Sequence, residues 1–506
     1  MTLRRRFRLA KMVGTRRISK RQHTSFYFVL TFLLLFICIL FIEVFFVEEN
    51  NPMEFSIFER LGWKKDTNKE IVLPPHVARE LARVITDAVQ EDLDVIVNLY
   101  YDAVVDETGA LGNKNVDHWQ PVRGTKDKFL VFSAYYDDRR VQLIRVIAAA
   151  RTRNADKVMC KFWFADGYSS TTVPAFNKLI QENWNLKYSA YFVLCPLSKA
   201  LPSVPERVSI ITSENAEITN WLVVHNNKQN VTSPHGIAVC VKPVHYDYNK
   251  LLSFIEFIEL NKIFGVEHFI LYNDTIGRDV ACVMRQYMAN GIMSVLPWKL
   301  DMVSQKEIRT EGLFAALNDC LYRTMYRFRF VLMIDFDEFI VPHKSDSLTE
   351  MLEVVAKNKP LKTGAYSFQN SFFYLQWPSD AKSRSLPLRL ITLEKTVRKL
   401  KFHPHKQRSK CIVLPERVVE MGNHFVWEFL PGRAMANVHS DIGFLHHYRI
   451  CEFGGNDCIN TTSRVDRRIY RWKDQLVQAV QTRLKDWEFI CNFFAVSADK
   501  KTSLLL

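Results

Sequence analysis

From Gly236 onward the chain alternates short apolar runs with segments of helical periodicity, and this alternation leaves few folds open. Ile237 to Val244 reads as a buried strand, Lys250 to Phe264 as an apolar-faced helix and His268 to Tyr272 as the next strand. Arg278 to Asn290 is helical and Ile292 to Leu296 extended. Glu311 to Arg327 is helical, with Leu313, Leu317 and Leu321 on one face, and Phe330 to Ile334 is extended. Strands separated by helices lie parallel and are buried on both faces. The expected fold class is therefore α/β, a mostly parallel sheet flanked by helices. No G-x-G-x-x-G follows the first strand and no G-x-x-x-x-G-K occurs, so neither a dinucleotide fingerprint nor a P-loop is supported.

The fourth strand of this run ends in Asp335-Phe336-Asp337-Glu338-Phe339. Read as a strand end, Asp335 and Asp337 project to one side and Phe336 to the other. Adjacent carboxylates repel unless a cation sits between them, and a hard divalent ion with oxygen ligands is the usual solution. The carboxyl edge of an α/β sheet is also where such folds receive ligands. The competing reading is a solvated acidic turn after a core strand.

Residues 1–24 carry nine Lys or Arg and no acid, and Phe26 to Ile42 is a run of 17 uncharged residues. Extended to Val47, that run is long enough for the roughly 30 Å hydrocarbon core. The basic flank should stay cytosolic, giving a single-pass type II protein with the rest of the chain lumenal. Of the +14 net charge the tail carries +9 and Glu43 −1, which leaves a mild +6 beyond the span and no need for nucleic acid. Nine cysteines follow Cys38, an odd number that leaves at least one thiol over. Cys451 and Cys458 could staple a loop, while Cys240 and Cys320 sit in apolar runs and read as buried thiols. Sequons stand at Asn230, Asn273 and Asn460. The expected organisation is a cytosolic tail (1–24), a transmembrane anchor (25–47), a stem (48–127), a small β-rich domain (128–235), the α/β domain (236–490) and a C-terminal tail (491–506).

Several motifs recur in a definite order. They are Phe132-Ser133-Ala134-Tyr135-Tyr136-Asp137-Asp138-Arg139, then Ala316-Leu317-Asn318-Asp319-Cys320-Leu321, then the acidic tip, then Lys410-Cys411-Ile412-Val413 with Gly422-Asn423-His424, and last His446-His447-Tyr448-Arg449. Together they resemble glycosyltransferase family 92, over roughly residues 129–475, one departure being a glutamine absent from Arg309 to Leu313. The resemblance implies a GT-A-like sheet and an inverting transferase of the Golgi membrane. Its expected donor is a UDP-sugar, UDP-galactose, used with Mn²⁺ or another divalent cation. Its expected acceptor is a glycoprotein glycan, with fucose among the acceptor residues. By the same resemblance Asp335 and Asp337 hold the metal and His447 completes the shell, with His446 and His424 as substitutes. Asp274 meets the nucleoside, and Lys410 and Arg408 contact phosphate. Inversion needs a base for the acceptor hydroxyl. Glu338, Asp441 and Glu428 are the candidates, and Glu338 serves equally well as a brace for the metal ligands. Two other readings are a glycoside hydrolase, whose carboxylates would stand about 5–9.5 Å apart across a sugar, and a lumenal glycan-binding protein without turnover.

Overall fold

The structure is a computed structural model that describes residues 117–493, apart from 166–169, 200, 202, 227–233, 359–361, 452–456 and 492. They belong to one compact unit, Ala103–Leu506. The basic tail, the apolar run Phe26 to Val47, residues 48–116 of the stem, Asn230 and most of the C-terminal tail lie outside the described residues. Among the described residues no helix is long and apolar enough to cross a membrane.

Among the described residues nine strands come first: β1 (Gln120–Pro121), β2 (Leu130–Asp137), β3 (Leu143–Arg151), β4 (Met159–Trp163), β5 (Ser170–Pro174), β6 (Phe176–Leu179), β7 (Tyr188–Pro196), β8 (Arg207–Ile211) and β9 (Leu222–His225). They form one sheet in the order β5-β4-β8-β9-β2-β3-β7-β6, with β1 beside β2. Side chains of β2 divide between two cores: Val131, Ala134 and Tyr136 enter one, and Leu130, Phe132 and Tyr135 the other.

Next come β10 (His235–Cys240), α1 (Leu251–Ile263), β11 (His268–Asn273), α2 (Arg278–Ala289), β12 (Met293–Pro297), α3 (Leu313–Thr324) and β13 (Phe328–Met333). The four strands are parallel and ordered β12-β11-β10-β13. Strand period two sorts their side chains cleanly. Ile237, Val239, Phe269, Leu271 and Leu332 face α1 and α2, while Ala238, Cys240, Ile270, Val331 and Met333 face α3. α3 is the layer between the two sheets, which is why eleven of its residues, Leu313 to Tyr322 and Thr324, are buried.

The rest of the chain supplies β14 (Glu338–Pro342), α4 (Leu348–Asn358), β15 (Thr363–Phe368), β16 (Asn370–Tyr374), α5 (Ile391–Glu394), β17 (Val397–Lys399), β18 (Lys410–Val413), β19 (Val418–Met421), β20 (Val426–Phe429), β21 (Ala434–Asn437), β22 (Gly443–Arg449) and α6 (Lys473–Cys491). β18, β15 and β21 extend the parallel sheet past β13, and β14-β22-β16 form a small sheet of their own.

Two of the sequence motifs, Phe132 to Arg139 and Ala316 to Leu321, meet at α3. The buried Asp319 carboxylate accepts hydrogen bonds from Ser133, from Tyr135 and Tyr272 at 2.6 Å each, and from Arg323 at 2.9 Å. One carboxylate thus ties the first sheet, the helix and β11 together. Cys240 and Cys320 are not buried thiols: they form a disulfide between β10 and α3, and Cys160–Cys195, Cys282–Cys491 and Cys451–Cys458 are also joined. Cys411 is free and buried. The Cys240–Cys320 bridge spans 80 residues of sequence, a loop whose closure is worth about 4–5 kcal/mol. Replacing both cysteines by alanine should lower unfolding stability by about that amount in urea titration, and non-reducing peptide mapping of the native protein should recover the bridged peptides. A loss below about 1 kcal/mol, or free thiols at these positions, would contradict the assignment.

Candidate active site at the acidic turn

The four parallel strands change direction of winding at β10, with β11 on one side and β13 on the other, so the crevice beyond their carboxyl ends is the topological switch point. Lys242 lies two residues past β10 and Asp335 two residues past β13. They meet there, Lys242 Nζ to Asp335 Oδ2 at 3.2 Å.

Asp335, Phe336 and Asp337 form a turn and not a strand end. The Glu338 N–H donates to the Asp335 carbonyl at 3.0 Å, and the Asp335 N–H donates to Glu338 Oε2 at 3.0 Å. Phe336 anchors the turn by stacking on Tyr248 and meeting Phe254 and Phe257 edge-on. The two aspartates therefore do not share a direction through strand alternation. Asp335 points at lysines with its side chain 15% exposed, and Asp337 points outward at 47%.

β18 runs antiparallel to β13 with Cys411 opposite Met333, which sets Lys410 just past the strand end. Its buried ammonium reaches Glu338 at 3.2 Å, Asp335 at 3.4 Å and Asn423 Oδ1 at 2.9 Å. β14 pairs with β22 so that Glu338 is opposite His447. His447 Nδ1 lies 3.1 Å from Glu338 Oε1 and 3.1 Å from the Asn370 amide, and Nε2 lies 3.3 Å from Asp337 Oδ2.

Burial alone would raise the Asp335 pKa, but Lys242 and Lys410 hold it well below the usual carboxylate range. Asp337 is held low against burial by His447, whereas burial keeps Glu338 above its ordinary value despite Lys410. Burial would lower Lys410 and His447, but the carboxylates facing them raise both. The site's own cations are thus already engaged by its own anions.

Of the residues singled out in the sequence, Asp335, Asp337, Glu338, Lys410 and His447 converge here. Arg408 is exposed, with its guanidinium over the Phe372 ring, which packs against His447. Asp274 follows β11 and its N–H donates to the Val244 carbonyl at 2.9 Å, on the β10–β11 side of the crevice. His446 points from the opposite face of β22 into Phe373 and Phe444, and burial holds its pKa well below the usual histidine value. His424 is hydrogen-bonded to Ser409 O and Asn423, and burial beside Lys410 lowers it to about 4. Glu428 is paired with Arg140 and Lys178, and Asp441 with His439 on the exposed turn before β22.

Sequence reasoning passed over Lys242, Asn370, Asn423 and the pair His245–Glu311. Lys242 was detectable as the one cation in an otherwise apolar run; Asn423 stood in the Gly422-Asn423-His424 motif without a role, and Asn370 had no mark. Glu311 sits in a left-handed stretch, Thr310 to Gly312, with its buried carboxylate against His245 Nδ1 at 2.5 Å. Thr310 and Glu311, the two residues of this stretch that are not glycine, store backbone strain of about 1–3 kcal/mol each, and here they aim a carboxylate at the loop after β10.

Among the described residues no three His, Cys, Asp or Glu side chains converge as a ready-made metal cage. The donor set nevertheless fits an ion completed by its ligand, since Mg²⁺-like cations are held by one or two carboxylates plus substrate phosphates and waters. The Glu338 and Asn370 contacts at Nδ1 leave His447 Nε2 directed at Asp337, as in a ligating histidine whose other ring nitrogen is held by a carboxylate.

The profile of glycosyltransferase family 92 matches residues 235–488, half of the chain. The chain belongs to that family, and its class is that of a sugar transferase. It is 25% identical over 308 residues to a β-1,4-galactosyltransferase of Caenorhabditis elegans, covering 58% of this chain and 67% of that one. It is 23% identical over 233 residues to a glycosyltransferase family 92 protein of the same organism, covering 44% of each. A solved structure of S. aureus TarS in complex with UDP overlaps 54% of this chain and 75% of its own at 11% identity, with a TM-score of 0.24, too slight to carry an argument.

Removing the Lys410 ammonium strands Asp335 and Glu338 in a buried site, and breaking a buried ion pair from one side costs about 3–5 kcal/mol. Lys410→Met should lose that much stability in urea unfolding at pH 7. A loss below about 1 kcal/mol would show that the carboxylates do not depend on it.

Proposed function

We propose that the protein transfers galactose from UDP-galactose to a glycoprotein glycan, with inversion at the sugar carbon and with a divalent cation such as Mn²⁺. The carrying observation is the acidic turn at the switch point, whose inner cations Lys242 and Lys410 are already engaged: a diphosphate leaving group brings more negative charge than Arg408 on the rim can neutralise alone. Galactose is favoured by the name of the C. elegans relative, and the order β12-β11-β10-β13 is compatible with a GT-A sheet.

In this reading Asp337 and His447 hold the cation, which supplies Lewis-acid neutralisation of the departing diphosphate. Lys242 and Lys410 keep Asp335 ionised and fixed. Glu338, buried between Lys410 and His447, positions the imidazole and is unsuited to take a proton from an acceptor. Arg408 lies on the rim where phosphate oxygens would arrive, and Asp274 on the nucleoside side. Glu428 and Asp441 are each neutralised by neighbours apart from the turn, so the acceptor base is not assigned to either. The compartment is part of the proposal: four disulfides suit an oxidising lumen, in keeping with a type II protein of the Golgi membrane.

A screen of UDP-sugars by UDP release, with Mn²⁺ and glycoprotein acceptors, tests the reading. UDP-galactose should be turned over, and Asp337→Asn should lower kcat by at least about 100-fold with an unchanged melting temperature, because Asp337 is half exposed. Full activity in a folded Asp337→Asn protein would remove the turn from the chemistry.

A further inference from the structure

We propose that Trp427, Phe425 and Trp184, arranged around Glu182, form the platform on which the acceptor glycan stacks; this rests on the transferase reading above. Two of the large exposed apolar side chains, Trp184 at 57% and Trp427 at 37%, stand on segments joined through one carboxylate. Glu182 Oε2 accepts from Trp427 Nε1 at 3.0 Å and from the Asn423 N–H at 2.8 Å. Asn423 Oδ1 in turn accepts from Lys410 Nζ, which holds Asp335. A chain of direct contacts therefore runs from the acidic turn to the Trp427 indole.

The platform is built and not incidental. The indole N–H is satisfied by Glu182, so its orientation is fixed while part of the ring surface stays in water. Phe425 packs on it with ring centroids 4.7 Å apart. A Cβ on Gly422 would fall 2.3 Å from Glu182 Oε2 and 2.5 Å from the indole, so only glycine leaves room for this seating. Two residues beyond Glu182, Trp184 carries the Arg309 guanidinium 4.0 Å from its ring centre. Asn183, Trp184, Arg309 and Gly312 line a shallow depression beside that ring, with room of about 10 Å³, so a sugar would lie across the ring and not inside a cavity.

The chemistry that matches is a saccharide. A pyranose presents an apolar C–H face to an aromatic ring and hydroxyls at its edge, and Asn183 and Arg309 stand beside Trp184 for those hydroxyls. A protein partner would need a wider apolar patch than isolated rings set among charges. The two contributing segments, the β6–β7 loop and the β19–β20 hairpin, meet through the Gln181–Glu420 and Glu182–Asn423 contacts, so the first sheet would have a role in acceptor choice.

The test uses the full lumenal chain with Mn²⁺ and UDP-galactose, and N-glycans released from a glycoprotein as acceptor beside the intact glycoprotein. Trp427→Ala should raise the acceptor KM about tenfold for both forms, Trp427→Phe should restore most of it, and Trp184→Ala should raise it independently. The Kd for UDP with Mn²⁺, measured by calorimetry, should move less than twofold. An unchanged KM for the released glycan in both alanine variants overturns the platform, as does a defect confined to the intact glycoprotein, which would indicate a protein-docking surface. Failure of the unmodified chain to bind UDP would instead overturn the transferase reading beneath it.

Discussion

The site depends on one buried ammonium. Lys410 is enclosed with Asp335 and Glu338, and its charge lets two carboxylates stay close to a third, Asp337, in a folded protein. Taking such groups from water costs several kcal/mol per ion unless pairing and hydrogen bonds compensate. Lys242, Asn423, Asn370 and His447 provide that compensation from four other segments. The result is a turn whose inner half is locked and whose outer half, Asp337 with the His447 Nε2 edge, is left to meet a ligand. A preformed inner shell of this kind reduces the reorganisation needed when charge develops on a leaving group.

Backbone pairing delivers these groups. β13 brings Asp335, β18 brings Lys410, and the β14–β22 register brings Glu338 to His447 across more than a hundred residues of sequence. α3 carries the mechanical load, because Asp319 and the Cys240–Cys320 bridge fasten it to both sheets. A displacement of α3 would therefore move the crevice and the first sheet together.

Much of this was legible from residue pattern alone. The strand and helix alternation from Ile237 to Ile334 needed only hydrophobic period, since each element is buried on a definite face. Asp335, Asp337 and Glu338 were legible as an acidic tip after an apolar strand, whereas Lys410 and His447 were singled out only through the family resemblance. The turn at Asp335 was not, because tripeptide alternation looks the same in a strand until Phe336 finds its distant partners, Tyr248 just before α1 and Phe254 and Phe257 on it. The Cys240–Cys320 bridge was hidden for a related reason: an apolar cysteine reads identically whether it is packed or paired. Lys242 and Asn370 owe their roles to non-local pairing, and Glu311 to a left-handed backbone that only tertiary contacts can hold.

Binding of Mn²⁺, measured by electron paramagnetic resonance with and without UDP, tests the central claim most directly. Asp337 and His447 alone make an incomplete shell, so one Mn²⁺ per chain should bind weakly without UDP and at least tenfold more tightly with it. UDP binding of equal strength in the presence and absence of Mn²⁺, with no metal retained on the protein, would contradict the account.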